Sequence, residues 1–154
     1  MIEAYLATVK DIEQICKLYS EFFAYNAELQ PEYCNAVKES GEYPRSVIAD
    51  GNADIFIALD GDIIVGFVHI RAAQTPPFAS VAAHNYAEIA DFFVTASYRG
   101  KGVGAKLMGA AKGWSRVRRF DYIELSVLSN AKGALYFYEN NDFVVAAHTM
   151  RCPL

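Results

Sequence analysis

The chain has few cysteines and no long apolar run, and both features exclude certain classes of protein. Its three cysteines, Cys16, Cys34 and Cys152, lie far apart and form no Cys-x-x-Cys pair. An odd number at wide spacing argues against a disulfide framework or a zinc site. No stretch approaches the ~20 apolar residues of a membrane helix, and the first residues lack the basic and apolar regions of a signal peptide. We therefore expect a cytoplasmic protein with no metal ion and no membrane partner.

The length and composition are those of one folded domain. The chain has 154 residues, of which 53% are hydrophobic and 21% are charged, as in ordinary globular proteins. It contains no repeat, low-complexity tract or Pro/Gly/Ser-rich linker. We predict a single domain that spans residues 1–154.

The charges are distributed unevenly along the chain. Residues 1–98 carry 14 acidic and 5 basic side chains, whereas residues 99–154 carry 4 acidic and 9 basic ones, for an overall charge of −4. An acidic domain disfavours nucleic acid as a partner. The basic half suits a polyanionic ligand and the acidic half a cationic one. Alternatively, the cations that end the third predicted helix only complement its dipole, so both interpretations stay open.

Hydrophobic spacing predicts alternating strands and helices. A capping pattern, Thr8-x-x-Asp11, opens the first helix, and Asp60-Gly61 marks a tight hairpin. Strands are predicted at residues 2–7, 54–59, 63–71, 86–95, 122–128 and 143–150. Further helices are predicted at residues 32–50, 103–119 and 131–140, the first of them weakly marked. One right-handed β-α-β unit after antiparallel hairpins gives a mixed sheet with helices on both faces.

Three alternate glycines, Gly100, Gly102 and Gly104, separate a predicted strand from a predicted helix. Glycine permits positive φ and close approach to the backbone, and the free N–H groups of a helix start bind anions. The run therefore predicts a phosphate site. The spacing Gly100-x-Gly102-x-x-Ala105 also matches a dinucleotide fingerprint. A dinucleotide site is nevertheless disfavoured, because the fingerprint belongs to the first turn of a doubly wound sheet. Here it lies two thirds along the chain, and too few residues follow it to form the further parallel strands of that fold.

The spacing Arg99-x-x-Gly102-x-Gly104 resembles the acetyl-CoA signature of the GNAT superfamily of N-acetyltransferases, [Gln/Arg]-x-x-Gly-x-[Gly/Ala]. The later run from Ala134 to Glu139 is also similar to that family, although Asp142 replaces its usual Gly and Ala96 a common Pro. The resemblance covers nearly the whole chain. It implies an α/β fold of the α+β type, with a mixed, mostly antiparallel sheet flanked by helices on both faces. It also implies direct transfer of acetyl from acetyl-CoA to a primary amine of a small molecule or peptide.

The resemblance also assigns residues to the cofactor. The backbone of Phe92 and Val94 is expected to pair with pantetheine, and the glycine run to cradle the pyrophosphate. Asn130 is a further expected contact, although it lies eight residues before Tyr138 where relatives have seven. The expected CoA-binding residues are Phe92, Val94, Arg99, Gly100, Lys101, Gly102, Val103, Gly104 and Asn130.

Catalysis requires a base for the ammonium and an acid for the leaving thiolate. Tyr138 matches the family's acid. Glu88 matches the base of histone-type relatives, while Asp91 resembles the polyamine acetyltransferases and ordered water is a third possibility. Strand alternation places Glu88 and Asp91 on opposite faces unless a bulge intervenes.

Two functional questions stay open at this stage. The same fold could serve as a non-catalytic module that binds or senses acyl-CoA. The acceptor amine is not encoded in the motifs, although the acidic first half favours a cationic one. Relatives often form dimers, so a homodimer is one of the expected states.

Overall fold

The computed structural model describes residues 1–154 as a five-stranded sheet in the order β1-β2-β3-β4-β5. The first four strands are antiparallel, and β5 runs parallel to β4. The strands are β1 Glu3–Leu6, β2 Ala53–Asp60, β3 Ile63–Gln74, β4 Asn85–Val94 and β5 Ile123–Leu125. The helices are α1 Ile12–Leu29, α2 Glu42–Ala49, α3 Val103–Val117 and α4 Lys132–Glu139.

The sheet separates two hydrophobic cores. On one face α1 and α2 pack on the sheet, with the buried side chains of Ile15, Tyr19 and Phe67 at the centre. On the other face α3 contributes Leu107 and Met108, which pack beside buried residues of β3 and β4. The predicted mixed, mostly antiparallel sheet with helices on both faces is confirmed.

Local rules explain where several elements begin. Thr8 and Asp11 form the reciprocal capping box that their spacing predicts, just before α1. Gly61 has φ +61°, as the tight turn between β2 and β3 requires. No helix of the chain is long and apolar enough to cross a membrane.

Three predicted elements differ from the structure. Residues 143–150 form no strand, because no neighbouring strand of this chain pairs with them. The predicted strand at 122–128 is reduced to β5, Ile123–Leu125, since only that part meets β4. The predicted helix at 32–50 is limited to α2, which starts after Gly41 at φ +103°.

Candidate active site

The strands β4 and β5 separate after a short paired stretch. They pair only where Ala87, Glu88 and Ile89 meet β5, so residues 90–94 of β4 have no neighbour on that side. The N–H of Thr95 donates to the carbonyl of Val65 across the β3 side. Because hydrogen-bonding direction alternates along an antiparallel strand, Phe92 and Val94 direct their backbone groups to the open edge. The edge can therefore pair with an extended ligand.

A β-bulge at Ala90 decides the orientation of the two candidate bases. Ile89 pairs with Ile70 and Asp91 with His69, so Ala90 has no partner in β3. The extra residue reverses the alternation along the strand. Ala87 and Ile89 face the α3 core before the bulge, whereas Phe93 faces the α1 core after it. Glu88 and Asp91 consequently lie on the same face of the sheet, the one covered by α1 and α2.

Asp91 is the acceptor of a compact polar cluster. Its Oδ2 accepts hydrogen bonds from the hydroxyls of Tyr19 at 2.9 Å and Tyr43 at 3.0 Å. Nδ1 of the buried His69 lies 3.2 Å from the same oxygen and 3.0 Å from the Tyr43 hydroxyl. Burial and, second, the Asp91 charge raise the pKa of both tyrosines. The arrangement ties α1 and α2 to the sheet.

Glu88 is held differently and is more accessible. It forms an ion pair with Arg71, its direct neighbour on β3, and its side chain is 31% exposed against 16% for Asp91. The parallel register places Glu124 of β5 opposite Glu88. A cavity of about 210 Å³ opens beside these two carboxylates, lined by Tyr86, Glu88, Ile89, Ala90, Glu124, Leu125 and Ser126. Glu88 is therefore the predicted base that a ligand in this cavity can reach.

The glycine run leaves a series of donors without acceptors. The N–H groups of residues 100–105 donate no hydrogen bond within the chain, and the first helical bond of α3 is donated by Lys106 to Gly102. Gly100 and Gly102 have φ +74° and +82°. A β-carbon at either glycine would meet nothing within 4 Å, so the backbone is open to solvent there. A helix N-terminus of this kind binds anions.

The two cations of the run do not both point away from the protein. Nε of Arg99 donates to the carbonyl of Val94 at 2.9 Å, and its guanidinium lies 4.8 Å from the ring centre of Tyr25. Arg99 thus occupies the carbonyl oxygen of Val94, whereas the N–H of Val94 still faces the open edge of β4. The Nζ of Lys101 lies 5.1 Å from the ring centre of Tyr98, in an exposed position.

Tyr138 lies on the α3 side of the open edge. Its ring packs against Phe92 of β4, with ring centres 6.1 Å apart, and against Phe143 at 5.6 Å. The hydroxyl makes no hydrogen bond within the chain, and burial raises the pKa of Tyr138. A phenol is protonated at neutral pH in any case, and the raised pKa extends the protonated range to higher pH, so the side chain keeps a free donor.

The side chain of Asn130 is hydrogen-bonded to residues at the end of α1. Its Nδ2 donates to the carbonyl of Leu29 at 2.6 Å, and its Oδ1 accepts from Gln30 at 3.2 Å. The side chain therefore joins the loop before α4 to the end of α1. Its assignment to CoA stays a prediction.

The sequence interpretation missed three members of the Asp91 cluster. The predicted helix at 32–50 contains Tyr43 and the predicted strand at 63–71 contains His69, but neither pattern gives these residues, or Tyr19, a hydrogen-bond partner. These residues lie 22 to 72 positions from Asp91 along the chain. The alternation of β3 could have placed His69 beside β4, but the pairing with Asp91 depends on the bulge.

Comparison with known proteins decides the family. The sequence profile of the acetyltransferase (GNAT) family matches residues 12–143. The chain belongs to this family. No curated protein shows significant sequence similarity to it.

Solved structures show the same fold over almost the whole chain. A mutant of a Bacillus halodurans protein has a TM-score of 0.92 at 21% identity, with 98% of each chain covered. An aminoglycoside acetyltransferase from an uncultured soil metagenomic sample, in complex with sisomicin, has a TM-score of 0.75 at 18% identity, covering 99% of this GNAT chain and 95% of its own. An aminoglycoside N-acetyltransferase in complex with CoA has a TM-score of 0.76 at 12% identity, covering 100% and 95%.

Proposed function

We propose that this GNAT protein is a cytoplasmic N-acetyltransferase that moves acetyl from acetyl-CoA directly to a primary amine of a small molecule or peptide. The observation that carries the proposal is the open edge of β4 next to six free amide donors. The edge suits pantetheine, and the donors at the start of α3 suit the pyrophosphate. Members of the family use acetyl-CoA, so these residues fit the expected co-substrate.

We infer the cofactor contacts from the open edge of β4 and the glycine run. Phe92 and Val94 offer backbone groups to the pantetheine amides, while Gly100, Gly102 and Gly104 let the pyrophosphate approach the N–H groups. Val103 and Lys101 contribute donors of the same series, and Arg99 adds positive charge. Acetyl-CoA would supply the activated thioester carbonyl, and a backbone N–H at the open edge would polarise that carbonyl.

The two side chains that we propose for catalysis approach β4 from opposite faces of the sheet. Glu88 faces the acidic cavity, where it would accept a proton from the bound ammonium, directly or through one water. The neutral amine then attacks the thioester. Tyr138, protonated and free of other hydrogen bonds, would donate a proton to the leaving thiolate. No covalent enzyme intermediate is needed, so the cysteines have no role in the reaction.

The cavity supports a cationic acceptor. Glu88 and Glu124 place two carboxylates at its wall. Tyr86 also lines the cavity, and its ring stacks on that of Tyr122 with centres 4.9 Å apart. Carboxylates and aromatic faces both attract an ammonium group. Small amines that carry more than one positive charge are the first acceptors to test.

Titration calorimetry with acetyl-CoA tests the first half of the proposal, and thiol release with a panel of amines tests the second. We expect binding in the micromolar range and turnover with at least one cationic amine. Tyr138→Phe should lower turnover and leave acetyl-CoA binding intact, whereas Tyr136→Phe, 70% exposed on the same helix, should change neither. Failure to bind acetyl-CoA would refute the proposal. Binding without thiol release would support the non-catalytic module instead.

A further inference from the structure

Arg71, Glu88 and Glu124 form one row across three neighbouring strands, which we call the charged row. Glu88 of β4 lies directly opposite Arg71 in β3 and directly opposite Glu124 in β5. Neighbouring strands lie about 4.8 Å apart, and residues paired in this way place their side chains on the same face of the sheet. The proposed base is therefore flanked by a cation on one side and by a second carboxylate on the other.

Arg71 holds one of the two carboxylate oxygens of Glu88. Its guanidinium donates to Oε1, and this is the only hydrogen bond that either side chain makes within the chain. Oε2 of Glu88 accepts no hydrogen bond within the chain, so it is the oxygen left for a proton from a bound acceptor. Arg71 thus orients the carboxylate and leaves its second oxygen free.

Glu124 has no cation of its own. It forms no ion pair within the chain, and it lines the same cavity as Glu88. Burial, followed by the charges of Glu124 and Glu88, raises the pKa of Tyr86, which also lines that cavity. Both carboxylates therefore act on the same small volume, and Arg71 is the one cation paired with either of them.

The other titratable groups around the charged row are bonded to one another. Asp91 of β4 accepts from Tyr43 of α2 and lies beside His69 of β3. Burial, followed by the Asp91 charge, raises the pKa of Tyr43, and the charge of Arg71 acts in the opposite direction. None of these groups is altered in a variant of Arg71 or Glu124, so the effect of the charged row can be measured separately.

The two neighbours of a carboxylate in such a row act on its proton in opposite directions. A nearby cation favours the ionised form and makes the carboxylate a weaker base, whereas a second carboxylate keeps a proton bound to higher pH. A general base works best when it loses its proton near the working pH and still accepts one from the substrate. One neighbour of each sign therefore suits this task better than two of the same sign.

We propose that Arg71 is a positioning residue for the base: it orients Glu88 and opposes Glu124, so that the charged row sets the pH above which the enzyme is active. This inference rests on the proposed acetyl transfer with Glu88 as base. In that step a proton moves from the acceptor ammonium to Oε2 of Glu88, and the amine nitrogen keeps the electron pair of the broken N–H bond. Arg71 keeps its own protons throughout, since a guanidinium does not ionise in proteins.

The pH profile of kcat/KM for thiol release tests this role, with spermidine, an aminoglycoside and a lysine peptide as acceptors. Arg71→Gln should move the acid limb of the profile to higher pH by about 0.5–1 unit, as expected for a charge lost one strand spacing away at a partly exposed site. Glu124→Gln should move the limb to lower pH by a similar amount. The double variant should return close to the wild-type profile, and Arg71→Lys should stay there because it keeps the charge.

Arg118→Gln is the matched control. It removes another arginine of an ion pair, with Asp54 at 3.7 Å, at the far end of α3 from the glycine run. This variant should leave the acid limb in place. All variants should bind acetyl-CoA with wild-type affinity by calorimetry, which shows that they fold. A double variant that stays as far from the wild type as Arg71→Gln would overturn the proposal, since a purely structural loss is not restored by removing Glu124.

Carboxyl-carbon NMR of isotope-labelled protein follows the ionisation of Glu88 without any acceptor, and Glu88→Gln identifies its resonance. The midpoint should move in the same direction as the acid limb in each variant. An unmoved midpoint in Arg71→Gln would overturn the charged row whether or not the protein turns over an amine. A moved midpoint with an unmoved acid limb would overturn the positioning role, because Glu88 would then not be the base. Absence of thiol release with every acceptor would refute the proposed reaction and the role of Arg71 in it.

Discussion

Gly104 in the first turn of α3 lies directly against the ring of Phe137 in α4. A β-carbon at position 104 would come within 3.0 Å of Cε2 and 3.1 Å of Cζ of that ring. The glycine is therefore required by the packing of two helices as well as by its place in the anion cradle. The same contact holds Phe137 beside Phe92, with ring centres 5.4 Å apart. The ring of Phe137 thus contacts both the glycine run and the open edge of β4.

Gly104→Ala should destabilise the protein, because the added methyl forces Phe137 to move against its aromatic neighbours. We expect a cost of about 1–3 kcal/mol, as for overpacked cores. Gly109→Ala in the same helix is the control, since a β-carbon there meets nothing within 4 Å. That variant should gain about 0.5–1 kcal/mol from lower backbone entropy in the unfolded chain. Urea unfolding measures both, and equal effects would contradict the packing role of Gly104.

Gly102→Ala should weaken acetyl-CoA binding together with stability. The residue has φ +82°, which costs an alanine about 1–2 kcal/mol, and relief of this strain would move the N–H groups of the cradle. Gly61→Ala is the matched control, because Gly61 has φ +61° and equally open surroundings in a hairpin away from the site. Both variants should lose similar stability in urea, whereas only Gly102→Ala should bind acetyl-CoA more weakly by calorimetry. Equal affinity in the two would remove the cradle from the CoA site.

The fold followed from the sequence wherever local pattern determines structure. The capping box at Thr8, the turn at Gly61 and the β-α-β unit that carries the glycine run are all determined by neighbouring residues. The bulge at Ala90 was left open, because the β3 pairing that defines it involves residues about 20 positions away. Strand alternation alone could not tell whether Glu88 and Asp91 share a face.

The remaining differences between the predicted and the observed structure depend on contacts between residues that lie far apart in the sequence. Residues 143–150 have the composition of a strand, yet a strand needs a neighbour, and no strand of this chain pairs with them. Asn130 was assigned to CoA by motif position, while its amide bonds the end of α1. The Asp91 cluster joins two helices and two strands, and no local spacing predicts such a set.

Glu88→Gln and Asp91→Asn should separate activity from stability. Asp91→Asn replaces the charged acceptor of Tyr19 and Tyr43 in a partly buried cluster, so we expect a loss of about 2–4 kcal/mol. Glu88→Gln breaks only a solvent-exposed ion pair with Arg71, which costs less than about 1 kcal/mol. Turnover should nevertheless fall about 100-fold or more in Glu88→Gln, as expected for a lost general base. Urea unfolding and thiol-release assays measure the two effects, and full activity of Glu88→Gln would assign the base to Asp91 or to water.

Tyr138→Phe should change how stability depends on alkaline pH while leaving neutral stability nearly unaltered. The hydroxyl makes no hydrogen bond within the chain, so its removal costs little at pH 7. Burial raises the pKa of Tyr138 above the value of about 10 in the unfolded chain. The folded state therefore keeps a proton that the unfolded state loses above pH 10, and the free energy of unfolding falls as pH rises, by up to about 1.4 kcal/mol per pH unit for this residue. Its contribution is complete below pH 10 and is lost as pH rises toward the pKa in the folded state. Between pH 10 and 12 the variant should show a shallower decline than the wild type in urea unfolding, and an identical slope would mean that the phenol is not buried as described.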